Sequence, residues 1–180
     1  VAGNDTISVI MPIRWVVCDW GNTLMRDFGL PGPMAGWPEV EVLPGAADAL
    51  ALLRRNCRLA VASNAAESDA ALIRRALDRG GIGSFFEAVF SSREMGAAKP
   101  DPAFFRMLLD RLRISGPEGV SIGDDLHKDI LPARAAGMRT ILLDPDGHAG
   151  PVPEADAVAA SWSEMPGLIA HLDDERSQFR

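Results

Sequence analysis

Short apolar runs alternate along this chain with stretches whose apolar residues recur at helical spacing, and that alternation admits few architectures. The runs lie at 14–18, 58–63, 88–90, 119–123, 139–143 and 156–160. Between and after them, residues 46–55, 67–78, 101 onward, 127–136 and 162–173 read as helices. Strands that are apolar throughout and separated by helix-length segments pair in parallel, because a parallel neighbour requires a crossover. The expectation is an α/β fold, a doubly wound Rossmann-like parallel sheet with helices on both faces. A chain of 180 residues is long enough to bury such a core without disulfides or structural metals.

The helices carry the detail. Ala49, Leu50, Leu52 and Leu53 form the expected apolar side of the first, and Leu72, Ile73, Ala76 and Leu77 that of the second. Asp101-Pro102 is a start signal, a capping carboxylate followed by proline at the first helical position. Phe104, Phe105, Leu108, Leu109 and Leu112 beyond it make a core stripe. The irregular stretch is 25–44, punctuated by Gly29, Pro31, Gly32, Pro33, Gly36 and Pro38; loops of this length inside a domain tend to be functional or mobile. Residues 1–10 are polar and mixed and read as a leader or disordered segment before Met11, and 11–175 as one domain.

Charge narrows the partners. A net charge of −7 excludes nucleic acid or an anionic membrane held by general electrostatics, so any anion site must be built locally. Cys18 and Cys57 form no motif and read as small buried residues in a reducing, cytoplasmic setting. No run has the length or the flanks of a signal peptide or membrane span.

Chemistry enters at the strand ends. Asp19 closes the run Trp15-Val16-Val17-Cys18 and opens Asp19-Trp20-Gly21-Asn22-Thr23, aiming a carboxylate to where open α/β sheets hold ligands. Ser63 ends the second strand, Lys99-Pro100 follows the third, and Gly123-Asp124-Asp125 with Asp129 follows the fourth. A carboxylate nucleophile, a hydroxyl, a cation and further carboxylates describe a metal-assisted phosphoryl-transfer site. Three carboxylates converging on one point repel unless a cation joins them, and hard oxygen donors favour Mg²⁺.

This ordered set resembles the haloacid dehalogenase superfamily from about Arg14 to Leu168. The resemblance implies Asp19 as the nucleophile that forms an aspartyl-phosphate and Lys99 as the cation that neutralises it. Ser63, the Asn64 backbone N–H and Thr23 form the implied substrate-binding set, Thr23 by hydrogen-bonding near Asp19. The implied Mg²⁺ ligands are an Asp19 oxygen, the Gly21 carbonyl and Asp124, with Asp129 acting directly or through water. Asp125 and His127 read as exposed helix-start residues, and Trp20 either lines the site or packs.

Two departures from that family's pattern matter. Only about twenty residues separate Leu24 from Pro44, and one helix and one strand fill the stretch from Ser63 to Lys99, so the resemblance implies a member without a separate cap domain. A capless site is open, which suits a large substrate or cover by a second copy of the chain. Phe28, Leu30, Met34, Trp37 and Val40 would supply that homodimer contact, or would pack onto their own domain. Secondly, the family's first motif reads Asp-x-Asp-Gly-Thr, where Gly21 and Asn22 stand in place of the second Asp and the Gly. That Asp is the family's general acid and base. Without it, an alkoxide leaving group has no proton donor unless Asp27 or Glu39 of the 25–44 loop supplies one, and substrates with good leaving groups are favoured. The expected function is a Mg²⁺-dependent phosphatase acting on a phosphorylated substrate; the alternative is a catalytically impaired phosphate-binding module that acts through a partner protein.

Overall fold

The computed structural model describes residues 12–174 apart from 66, 149 and 151, so the expected leader at 1–10 lies outside the described residues. The apolar runs become six strands: β1 Trp15–Cys18, β2 Arg58–Ser63, β3 Ala88–Ser91, β4 Gly119–Gly123, β5 Arg139–Leu143 and β6 Ala157–Ala159. They form one sheet in the order β3-β2-β1-β4-β5-β6, every pair parallel. The register sets Cys18 beside both Val61 and Ile122, so β2 and β4 run on to Ser63 and Gly123 just past the end of β1. The chain winds outward from β1 to β3 and then returns to β4 on the other side of β1. The carboxyl-end crevice at that reversal is where doubly wound sheets hold ligands.

Successive residues of β1 serve opposite layers. Val16 and Cys18 pack with α1 (Ala46–Leu53), α2 (Ala70–Arg79) and α6 (Met165–Asp174). Trp15 and Val17 pack on the other face with α4 (Pro102–Leu112) and α5 (Leu131–Ala135). A strand covered on both sides must be apolar at every position, which is why these segments read as unbroken runs. The buried face of α1 is Ala46, Ala49, Leu50 and Leu53, spaced i, i+3, i+4, i+7, and Leu52, expected on it, falls outside that stripe and is exposed. Helix α2 starts at Ala70 rather than near 67 because the Asp69 carboxylate accepts from Leu72 N at 2.9 Å. The Asp101 cap of α4 is present, accepting from Ala103 N at 2.8 Å. A one-turn helix, α3 (Ser92–Met95), lies in the stretch from β3 to Lys99, where the sequence suggested none. Among the described residues, no helix is long and apolar enough to cross a membrane.

The 25–44 stretch is tied down at several points. Met25 bridges to both Gly21 and Val42, and Met34–Gly36 forms a single 3-10 turn. The Arg79 guanidinium of α2 donates to the carbonyls of Ala35 (3.0 Å) and Trp37 (2.7 Å). Of the five residues that suggested a homodimer contact, Met34 and Trp37 are buried in the chain's own domain and Val40 packs against its core. Phe28 and Leu30 remain exposed.

Candidate active site

Asp19 leaves β1 with its backbone N–H still donating to Ile122 O of β4, at 2.8 Å. The carboxylate is gripped from two sides: Oδ1 accepts from Lys99 Nζ at 2.6 Å, and Oδ2 lies 3.1 Å from the Thr23 hydroxyl. That hydroxyl is also 3.1 Å from Asp124 Oδ1, so its one proton serves either carboxylate in turn. Thr23 is fully buried, and the indole of Trp162 fixes its backbone by donating to its carbonyl at 2.6 Å. Its bond to Asp19 is the contact the resemblance implied, and the bond to Asp124, 101 positions on, is added to it.

Lys99 is the hub. Its ammonium donates to Asp19, to Asp129 Oδ1 (2.5 Å) and to Ala62 O (3.0 Å), which uses all three of its protons. Burial works against the charged form, but the charges of Asp19 and Asp129 outweigh it and hold the Lys99 pKa above its ordinary value. The backbone of Lys99 is held as well: Asn64 Nδ2 donates to Lys99 O at 2.6 Å, and Lys99 N donates to Asn64 Oδ1 at 2.9 Å. The sequence reading used only the Asn64 backbone, because a side chain's partner 35 positions away has no local signature. Ser63 lies beside it at the end of β2, buried, its Oγ accepting from Ala65 N at 3.1 Å.

Asp129 sits on a widened π turn, Leu126–Ile130, a backbone form frequent at functional sites. Its second oxygen accepts from Asp125 N at 3.2 Å, and its carbonyl accepts from Ser121 Oγ at 3.3 Å. It leans over the end of β4, where a Cβ on residue 123 would collide with its side chain, so Gly123 is required there. Asp125 accepts from the N–H groups of His127 and Lys128 and pairs with the Lys128 ammonium at 2.9 Å; His127 is exposed.

Oxygens of Asp19, Asp124 and Asp129 lie within 4.8 Å of one another. Burial, and then the negative charge of Asp19, raises the pKa of Asp124. The same two causes, opposed by Lys99, push Asp129 up to about 7. Three carboxylates against one ammonium leave surplus negative charge on hard oxygen donors, a set that fits a divalent cation such as Mg²⁺. These residues face a cavity of about 480 Å³ that is also lined by Trp20, Gly21, Asp27, Ser63 and Asn64. Trp20 both lines it and packs, its indole N–H donating to Met25 Sδ at 3.3 Å.

Residues 30–137 match the haloacid dehalogenase-like hydrolases. Among curated proteins, the chain is 37% identical over 83 residues to a ribulose-1,5-bisphosphate 5-phosphatase of Halopiger xanaduensis, covering 46% of this chain and 35% of that protein. It is 34% identical over 153 residues to haloacid dehalogenase-like hydrolase domain-containing protein 3 of Bos taurus, covering 83% of this chain and 55% of that one. The chain thus spans a third to about half the length of these curated relatives. Among solved structures, an uncharacterized protein from Listeria monocytogenes serotype 4b superposes with a TM-score of 0.78 at 26% identity, covering 89% of this chain and 99% of that one.

Proposed function

Because the chain belongs to the haloacid dehalogenase-like hydrolases, we propose that it is a Mg²⁺-dependent phosphatase working through an aspartyl-phosphate on Asp19. The observation that carries this reading is the placement of the Asp19 carboxylate between a buried ammonium and a buried hydroxyl, at the mouth of a cavity. Both contacts restrain its rotation and hold it ready for attack on phosphorus. The buried Lys99 ammonium offsets the charge of Asp19 and of the incoming phosphoryl oxygens. Ser63 and the Asn64 backbone N–H receive the phosphoryl oxygens beside them. Asp19, Asp124 and Asp129, with the Gly21 carbonyl, would hold Mg²⁺, which when bound supplies Lewis-acid stabilisation of the phosphoryl charge. The phosphatase activity named for the Halopiger relative supports the reaction class.

Residues 25–44 contain only the Met34–Gly36 turn as regular structure besides isolated bridges, and this favours a capless, open site. A panel of phosphomonoesters assayed for phosphate release with Mg²⁺ tests the reading. Release is expected to vanish with EDTA and in Asp19→Asn; release that survives both would overturn it. Gly21 is the observation favouring the impaired binding module, which predicts Mg²⁺-dependent phosphate binding with no turnover of any ester.

A further inference from the structure

Breaking an alkyl phosphate ester expels an alkoxide that needs a proton, and freeing the aspartyl enzyme needs a base to take one from water. On the phosphatase reading, one cavity-lining group can do both, because giving up its proton in the first step leaves it the base for the second. Asp19, Asp124 and Asp129 are held by Lys99 and Thr23 and form the set that would take Mg²⁺. Asp125 caps the π turn and pairs with Lys128. Two cavity-lining carboxylates remain, Asp27 and Glu67. Glu39, the other loop acid the sequence offered, is exposed and does not line this cavity.

Asp27 is positioned in a way a passing surface acid would not be. Asn22 adopts a left-handed backbone (φ 55°), and its side-chain carbonyl accepts from Asp27 N at 3.0 Å. Asp27 Oδ1 accepts from Gly29 N at 2.8 Å, a tight turn that Gly29 closes at φ 64°. One carboxylate oxygen is thereby anchored and the other is turned toward position 21. A Cβ built on Gly21 would lie 3.7 Å from Asp27 Oδ2 and 3.7 Å from Asp27 Cβ, with no other non-adjacent atom within 4 Å. The space beside the nucleophile loop that a side chain at 21 would enter is therefore bordered by the Asp27 carboxylate, and Asn22 helps to hold it there.

We infer that Asp27 is the proton-transfer group of this site, approaching from the loop the space that Gly21 leaves open. In the first half-reaction an Asp19 oxygen bonds to phosphorus, the bond from phosphorus to the ester oxygen breaks, and that oxygen takes the Asp27 proton to leave as an alcohol. In the second, water bonds to phosphorus and gives its proton to Asp27, and the bond from phosphorus to Asp19 breaks. Phosphate leaves, and both carboxyl groups return to their starting states.

The test compares kcat/KM for an alkyl phosphate (glycerol phosphate) and an aryl phosphate (p-nitrophenyl phosphate), since kcat/KM reports the step that forms the aspartyl-phosphate. In Asp27→Asn the alkyl value should fall by about 10²–10⁴-fold and the aryl value by less than about tenfold. The variant should also release p-nitrophenolate in a burst of about one equivalent, because only dephosphorylation then lacks its base. Adding Gly21→Asp to Asp27→Asn should recover alkyl turnover, as the new side chain meets only ordinary contacts. Glu39→Gln should match wild type. Equal losses on both substrates without a burst, no loss at all, or an alkyl-specific loss in Glu67→Gln instead would overturn the inference and leave the phosphatase reading standing. A wild-type protein that hydrolyses no ester would overturn both.

Discussion

Asn64→Ala removes the side chain that holds Lys99 by its backbone, and its cost can be worked from the geometry. Two hydrogen bonds are lost, one at 2.6 Å and one at 2.9 Å. Each contributes about 0.5–1.5 kcal/mol net, and a buried N–H left without a partner costs about 1–3 kcal/mol. Lys99 is buried, so water does not replace the lost partner fully. The two bonds come to about 1–3 kcal/mol and the unpartnered N–H to about 1–3 more, a destabilisation of about 2–6 kcal/mol, or roughly 4–24 °C in Tm for a chain of this size. The catalytic effect is separate. Lys99 Nζ reaches Asp19, Asp129 and Ala62 at once, and a shift of roughly 1 Å in its anchoring backbone is worth about 10²-fold in rate. Urea unfolding gives the first quantity, and phosphate release under saturating Mg²⁺ gives the second. A Lys99→Ala background isolates the coupling: once the ammonium is gone, Asn64→Ala should lower the rate no further. If Asn64→Ala keeps wild-type stability and rate, or if the two rate losses multiply, the side chain does not act through Lys99 and the reasoning fails.

Thr23→Val keeps the shape of the side chain but removes the hydroxyl between Asp19 and Asp124, and is expected to weaken Mg²⁺ affinity or activity about 10–100-fold, read from the Mg²⁺ dependence of phosphate release; an unchanged dependence refutes it. Gly123→Ala drives a methyl group into Asp129 and should cost about 1–3 kcal/mol by urea unfolding while also displacing the Asp129 carboxylate; a stable, fully active variant refutes the contact. Glu118 accepts from Ser115 N and Ser115 Oγ and pairs with Arg14, and these contacts hold its carboxyl down at about 2, against an ordinary 4.5. A depressed folded-state pKa stabilises above the unfolded value, and the effect is lost as pH falls from about 4.5 toward 2. With the half-exposed Arg14 partner screened by water, Glu118→Gln is expected to cost about 1–2 kcal/mol at pH 7 and almost nothing near pH 2, so an equal loss at both pH values would refute it.

The fold was legible because its sheet is covered on both faces. Every residue of β1 is buried, so its apolar run has no polar interruptions to confuse the period. Helix edges were harder, since they are set by single hydrogen bonds: Asp69 starts α2 by capping Leu72 N, while the apolar pattern alone tolerates an earlier start. The misplaced Leu52 has a similar cause. In a helix as apolar as Ala46–Leu53, composition marks nearly every position as a core candidate, and only the register against the sheet removes one. The short α3 has too few residues to show a period at all.

The site divides along the same line. Asp19, Ser63 and Asp124 are fixed by strand ends, so their convergence follows once the strands are known to be parallel neighbours. What holds them does not follow, because it runs through side chains such as Asn64 and Thr23 whose partners are remote in sequence. Gly21 makes the sharper case. Read along the chain it is a replacement, a position where a carboxylate is wanted and none is written. In the folded chain Met25 bridges to Gly21 and to Val42, which turns the loop back on itself, and Asn22 then holds Asp27 against the space that Gly21 opens. A linear motif records which residue occupies a position, whereas proton transfer depends first on which oxygen reaches the leaving group. On the inference drawn above, a glycine at 21 costs the site its proton donor only if the loop six residues on fails to return, and in this fold Asp27 borders that space.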